Sequence, residues 1–342
     1  MRAMLWLGAA AILAVGISSP DAAAAQDFYQ GKTIKIIVGS APGGSYDAHS
    51  RLLSRHMGRH IAGTPNIIVQ NMPAAGGLAA ANQVFNIAEK DGSVIGFINR
   101  YMVLASITGN EQARFKSEQF SWLGTTASFS NNPYLFIIKS TLPHRTVRDV
   151  RAANPLVHAG TSGSTALLIM NEALKLNLKV IEGYERNQLD LAFERGEVDG
   201  LGIAYANILA RHPDWLTKKL VRPLIQFGRA DRHPDFPEAP TARELAGTPE
   251  DRALIELAEA PLLMAYPMAF APGVSTQRVA ELRKAFVATV SDPSYKDEIA
   301  KMKLEYSPKD GQEVQALVAS IAQAPRNAVE RYRKIVGARG GD

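Results

Sequence analysis

The sequence predicts an α/β fold with largely parallel sheets, organised as two domains. Three observations carry that prediction. Apolar runs rich in Ile and Val recur along the chain with helical patterns between them, the alternation from which sheets covered by helices are built. Several runs are continuously apolar rather than alternating, as expected of strands buried on both faces. The chain is 342 residues long, and that length favours two cores over one.

The first residues stand outside the fold. Arg2 supplies a positive start, Met4 to Ile17 is apolar, and Asp21-Ala22-Ala23-Ala24-Ala25-Gln26 offers an Ala-x-Ala cleavage site after Ala25. That is the pattern of a secretory signal peptide at residues 1–25, and its apolar run is short for a membrane span. No later segment is long and apolar enough to cross a bilayer, so the mature chain is expected to be exported and soluble. The absence of cysteine excludes both a lipoprotein anchor and a disulfide framework. Net charge is +5, and removing Arg2 together with Asp21 leaves it unchanged. Both signs are interleaved, and no basic run with aromatic residues points to nucleic acid.

In order, strands are predicted at Thr33–Val38, Asn66–Gln70, Val94–Ile98, Tyr134–Ile138, Leu156–Ala159, Gly200–Tyr205, Val221–Phe227 and Met268–Ala271. Ser275 is placed to cap a helix carrying Val279, Leu282, Phe286 and Val290 on one face. Asp310 and Glu313 have the spacing of a capping box ahead of Val314, Leu317, Val318 and Ile321. Pro325 should break that helix, and Arg326 to Val336 reads as a last one. No linker rich in Gly, Ser or Pro separates two halves, so the chain is expected to cross between domains in extended strands. Gly228 to Gly247, "GRADRHPDFPEAPTARELAG", is the candidate for a second crossing.

Chemistry concentrates in three turns. "VGSAPGGSYDAHSRLL", Val38 to Leu53, runs a strand into Gly43-Gly44 and then into a helix starting near Ser45 to Asp47. Such a turn lets backbone approach a ligand closely, and the helix end offers unpaired N–H groups and the positive end of its dipole. Carboxylates and phosphates bind there readily. The plainer alternative is a tight turn with Ser45 or Asp47 as an ordinary N-cap. The same grammar recurs at Gly76-Gly77 after Asn66–Gln70, and at Gly160-Thr161-Ser162-Gly163-Ser164-Thr165 after Leu156–Ala159, where hydroxyls accompany the backbone donors. Three such turns in one chain point to a ligand crevice at strand carboxyl ends.

Other chemistries fail on spacing. There is no G-x-x-x-x-G-K-[ST], and Gly200-Leu201-Gly202-Ile203-Ala204-Tyr205 lacks the third glycine of a dinucleotide fingerprint. Gly160-Thr161-Ser162-Gly163-Ser164 is one residue away from a nucleophile elbow, and no histidine is placed as an obvious partner. His49, His56 and His60 share a helix stripe with Arg51, Arg55 and Arg59, which reads as a solvated basic face rather than a zinc site. Asp190 and Glu194 read as a solvated face. Met264, Tyr266 and Met268 read as core.

The segments occur in a recognisable order. "KTIKIIVGSAPGGSYDAHSRLL", "IIVQNMPAAGGLAAANQV", "KDGSVIGF", "HAGTSGSTA", "LAFERGEVDG", "FPEAPTARELAG", "AFAPGVSTQRVAELRKAF" and "LEYSPKDGQEVQALV" follow one another. This resembles the substrate-binding receptors of tripartite tricarboxylate transporters, the Bug-type periplasmic proteins, across nearly all of the mature chain. The P-G-G-x-x-D turn at Pro42, Gly43, Gly44 and Asp47 and the N-x-P-x-A-G-G turn at Asn71, Pro73, Ala75, Gly76 and Gly77 are its most specific parts. The chain departs from common members in having Ser40-Ala41 before Pro42, Met72 where Arg is frequent, and Ala74 where Gly is frequent.

The resemblance implies a type II periplasmic-binding-protein fold, with residues 26–129 and 240–342 forming one lobe and 130–239 the other. It implies a monomeric, non-catalytic receptor without cofactor or metal, which takes a small organic anion and docks transiently on a membrane permease. Ligand contacts are expected from Ala41, Gly43, Gly44, Ser45, Tyr46, Asp47, Ala75, Gly76 and Gly77 on the first lobe. On the second they are expected from Thr161, Ser162, Gly163, Ser164, Thr165 and Tyr184. A sensor for a signalling partner, an exported hydrolase, and a receptor for a phosphonate, sulfonate or amino acid are the alternatives.

Overall fold

Two sheets organise the chain in the computed structural model, which describes residues 28–154, 157–160, 165–184 and 186–337. The expected signal peptide, residues 1–25, lies outside the described residues. The strands are β1 (Thr33–Val38), β2 (Asn66–Asn71), β3 (Val94–Phe97), β4 (Ser121–Thr125), β5 (Tyr134–Lys139), β6 (Val157–Gly160), β7 (Leu178–Ile181), β8 (Gly200–Ala204), β9 (Val221–Phe227), β10 (Pro267–Phe270) and β11 (Lys309–Asp310). Helices α1 (Ser45–Met57), α2 (Leu78–Asn86) and α3 (Met102–Ile107) follow β1, β2 and β3. Helices α4 (Val147–Arg151), α5 (Ala166–Ala173), α6 (Arg186–Arg195), α7 (Tyr205–Arg211) and α8 (Pro213–Thr217) lie among the strands from β5 to β9. Then come α9 (Ala242–Leu245), α10 (Pro249–Glu259), α11 (Thr276–Ser291), α12 (Pro293–Lys301), α13 (Gly311–Ala322) and α14 (Arg326–Gly337).

The first sheet has the order β11-β4-β10-β3-β1-β2 and the second β7-β6-β8-β5-β9. Neither is largely parallel, which corrects the expectation from the apolar runs. β1 is parallel to β2 and β3, and β6 is parallel to β7 and β8. β10 runs antiparallel to β3 and β4, and β5 antiparallel to β8 and β9. Two of the reversed strands, β5 and β10, come in from the other sheet, whereas β11, antiparallel to β4, does not. β5 arrives from β4 through residues 126–133, and β10 follows the return of the chain after β9.

Burial explains why these runs are continuously apolar. In β5, alternate side chains point to opposite faces, and both faces are covered. Phe136 and Ile138 join a core with Val157, Ala159 and residues of α5 and α10. Leu135 and Ile137 join a separate core with Leu189, Phe193, Ile208 and Trp215. In the first sheet Ile34, Ile36 and Val38 are fully buried, as are Leu52, Leu53 and Met57 of α1. The expected caps are in place: Ser275 accepts from the Arg278 N–H, and Asp310 and Glu313 form a reciprocal capping box.

The sheet directions bring loops together. Because β10 is antiparallel, its start lies at the edge where β1, β3 and β4 end. In the second sheet β5 starts at the edge where β6 and β8 end, since Tyr134 pairs with Ala204. Residues 126–133 join those two edges. Beside them, residues 228–241 leave β9, and Arg229 Nη1 donates to the Ser130 carbonyl at 2.5 Å.

Candidate functional site

The first turn is built from the inside. Helix α1 has Gly44 as its N-cap with no side-chain cap, so neither Ser45 nor Asp47 takes that place. Asp47 sits a turn in and is buried. Its carboxylate accepts from the Gly43 N–H at 3.0 Å, from Arg51 Nε at 2.9 Å and from Asn71 Nδ2 at 2.9 Å. Burial would raise its pKa, but the Arg51, Gly43 and Asn71 donors outweigh burial and hold it below the usual carboxylate range. Asn71 also donates to the Ser40 carbonyl at 3.0 Å, which ties the first turn to the end of β2. Asp47 therefore fixes the shape of the turn.

What remains open is the backbone. The helix ladder begins with Ala48 N–H donating to the Gly44 carbonyl at 2.9 Å, so the N–H groups of Ser45, Tyr46 and Asp47 lie outside it. Ala41, Gly43, Gly44 and Ser45 are exposed. Gly44 has an extended backbone (φ −81°), and an added Cβ would come no closer than 3.7 Å to the Ala41 oxygen. Nothing in the fold requires glycine there. Gly77 is the opposite case: its φ is +102°, and a Cβ would lie 3.0 Å from the Asn99 Cβ and 3.2 Å from the Gly39 oxygen. In the second turn Ala75 and Gly76 are also left-handed and exposed, and for Ala75 that conformation costs about 1–2 kcal/mol.

A third loop, between β3 and α3, fills the space between the turns and has no signature in the sequence. Asn99 Nδ2 donates to the Gly76 carbonyl at 3.1 Å, and the Arg100 N–H donates to the Tyr46 hydroxyl at 3.0 Å. Tyr46 in turn donates to the Ala265 carbonyl at 3.0 Å, beside the start of β10. Burial pushes the Tyr46 pKa up to about 12. The Tyr266 ring packs edge-on against Tyr46 at 5.0 Å, and burial raises its pKa as well. The Arg100 guanidinium lies 5.0 Å from the Tyr101 ring and 5.4 Å from the Phe129 ring, with Nη1 donating to the Ala265 carbonyl at 3.2 Å.

The histidine stripe is not a solvated face. His49 is fully buried and stacked on Tyr266 at 4.0 Å, with Nδ1 3.0 Å from Thr126 Oγ1. Burial pulls its pKa down to about 3, so it is neutral near pH 7. His56 Nε2 lies 2.6 Å from Glu298, and His60 Nε2 lies 3.1 Å from Asp292. Among the described residues, no group of three or more His, Cys, Asp or Glu could hold a metal ion. Asp190 is likewise misread as solvated. It is buried and pairs with Arg211 at 2.8 Å and His212 at 3.0 Å, partners that a later helix supplies.

On the second sheet Thr161, Ser162, Gly163 and Ser164 lie outside the described residues. Thr165 begins α5, and its hydroxyl is 2.8 Å from that of Tyr332 in α14. Tyr184 follows β7 and is partly buried. Glu172 of α5 and Asp251 of α10 both reach Arg331, at 3.0 and 2.9 Å.

No family model matches the chain. Over 331 residues it is 22% identical to a Cupriavidus necator protein described as the UPF0065 protein in the gbd 5′ region, covering 94% of each. Among solved structures it is similar to a TctC solute-binding protein from Polaromonas, with a TM-score of 0.66, 18% identity, and 91% of this chain and 99% of that one covered. The fold is that of the TctC-type receptors. MatC from Rhodopseudomonas palustris, solved with bound malate, gives a TM-score of 0.61 at 19% identity, covering 89% of this chain and 99% of its own. An R. palustris protein solved with adipate gives 0.62 at 19% identity, covering 90% and 97%. The resemblance to the TctC and Bug-type receptors, first carried by the glycine turns, thus extends along the chain.

Proposed function

We propose that this chain is a periplasmic solute receptor, exported by cleavage after Ala25. Its two lobes, residues 26–129 with 240–342 and residues 130–239, close on an organic carboxylate by a hinge motion. The ligand is a di- or tricarboxylate or an aromatic acid, delivered to a tripartite tricarboxylate-type permease. The receptor acts as a monomer, without catalysis or cofactor.

One observation carries this reading: residues 126–133 join the edge where β1 and β3 end to the edge where β6 and β8 end, which we take as the two walls of a crevice, with the first-turn N–H groups of α1 left open at the first edge. Ligands of open α/β sheets bind in such a crevice. Each helix end offers an anion about 0.3–1 kcal/mol at the surface, and more where partly buried. Relatives solved with malate and adipate support a small carboxylate. Gly43-Gly44-Ser45 and Gly76-Gly77 on one side, with Thr161, Ser162, Ser164 and Thr165 on the other, form the proposed grip.

The test is thermal unfolding of protein freed of carried-over ligand by unfolding and refolding, against mono-, di-, tri- and aromatic carboxylates. A true ligand at a hundredfold its Kd adds about 2.7 kcal/mol, a midpoint rise of several degrees. Silence across the panel, or tight binding of an uncharged sugar alone, overturns the carboxylate reading.

A further inference from the structure

Arg100 stands apart among the cations of the crevice edge. A guanidinium taken out of water ordinarily meets a carboxylate. Arg243 meets Glu259, Arg278 meets Glu281 at 2.7 Å and Arg331 meets Asp251 at 2.9 Å. Among the described residues no carboxylate lies within 4.0 Å of Arg100. Its acceptor is neutral, the Ala265 carbonyl at 3.2 Å, and the Tyr101 ring lies beside the guanidinium at 5.0 Å. Arg222, Arg283 and Arg333 also end on carbonyls, but only Arg100 among the described arginines has a buried side-chain N–H, at Nε, without a partner.

The surroundings do not neutralise it. Tyr46, Tyr101, Phe129 and Tyr266 provide rings and hydroxyls rather than charge. Glu305 acts electrostatically on Tyr266, but its Oε1 accepts from Asn132 at 2.8 Å, and burial raises the pKa of the carboxyl. A guanidinium never gives up its proton in a protein, so the charge cannot be relieved that way. The Tyr101 and Phe129 rings pack against the guanidinium, and a planar fork of donors matches the two oxygens of a carboxylate. Its own backbone N–H is bonded to Tyr46, the residue whose amide is left open at the start of α1. The formal charge and the backbone donors thus share one edge.

We propose that Arg100 pairs with one carboxylate of the bound organic acid and sets the preference of the crevice for an anion over its neutral amide. The inference rests on the receptor reading above and adds to it. Backbone N–H groups donate to the carbonyl of an amide nearly as readily as to a carboxylate oxygen, whereas a full, poorly solvated charge separates the two by about 30- to 5000-fold.

The experiment is calorimetric titration of ligand-free protein with malate, adipate and benzoate, and with the corresponding amides. Wild type is expected to bind at least one acid about 100-fold more tightly than its amide. Arg100→Gln is expected to lower acid affinity by about 100-fold and to leave amide affinity within roughly threefold. Arg100→Lys, which keeps the charge but loses the planar fork, keeps the preference for acid with affinity about 10-fold weaker. Unfolding midpoints of the free variants separate loss of binding from loss of fold. An acid bound by wild type and by folded Arg100→Gln with equal affinity overturns the role of Arg100 and leaves the receptor standing. So does an amide bound as tightly as its acid, or a folded Arg100→Lys without preference, which decides the matter if the Gln variant does not fold. Wild type that binds none of the acids removes the receptor reading, and this inference with it.

Discussion

The two ends of helix α1 treat charge in opposite ways. At its C-terminal end Arg55 and His56 both reach Glu298, at 2.5 and 2.6 Å, and Arg59 and His60 both reach Asp292, at 2.9 and 3.1 Å. Each of these four side chains has an acid from α12 or its cap, and the pairs fasten two helices together. At the N-terminal end, open N–H groups and the Arg100 guanidinium share an edge with Asp47, whose carboxylate is taken by Gly43, Arg51 and Asn71. Charge that the protein has already answered is structural. Charge left unanswered at a concave edge is available to something else.

Substitutions at the two ends should therefore separate binding from stability. The largest effect on ligand binding is expected from Gly44→Val at the open end. Its Cβ has room and its φ is permitted, so the free protein should unfold as wild type does. The side chain would cover the approach to the first-turn N–H groups, removing the stabilisation of about 2.7 kcal/mol expected at a hundredfold Kd. Normal ligand-induced stabilisation in this variant would make the turn merely structural.

A second test concerns His49, between the two ends. Its folded pKa of about 3 lies below the unfolded value of 6.5. The unfolded chain then binds the proton first, so stability present above pH 6.5 is lost as pH falls toward 3, by about 1.4 kcal/mol per pH unit. Urea midpoints measured through that window should fall for wild type and flatten for His49→Phe, which keeps a ring against Tyr266. Equal slopes would show that His49 takes up its proton in the folded state.

The smallest effect belongs to the closed end. Glu298 is 37% exposed, and exposed pairs contribute about 0–1 kcal/mol. Glu298→Gln should lower stability within that range and leave ligand affinity unchanged. A loss of affinity would mean that the α1–α12 contact reaches the crevice, and the contrast between the two ends would fail.

Legibility followed the range of the signal. The turns at Gly43-Gly44 and Gly76-Gly77 were readable because glycine beside a strand and a helix is a local pattern. β5 was readable because burial on both faces makes the run Tyr134 to Ile138 apolar throughout. β4, "SWLGT", is short and broken by Gly124, and gave no such run. The reversed direction of β10 leaves no mark on its residues, since it depends on where the chain has been before. Arg100 is a single charged residue between two others in a loop. Its isolation from acids becomes visible only when Tyr46, Ala265 and Phe129, far apart in sequence, are brought around it. Asp190 was misjudged for the same reason, because its partners Arg211 and His212 lie in a later part of the chain.

The place of β10 has a consequence for how the chain is made. It lies between β3 and β4, so the first sheet is split until residues 267–270 are available. Synthesis from the N-terminus therefore delivers most of the polypeptide before that sheet can join. A nascent chain with its central staple near the end stays threadable for a long time, which accords with the export proposed above.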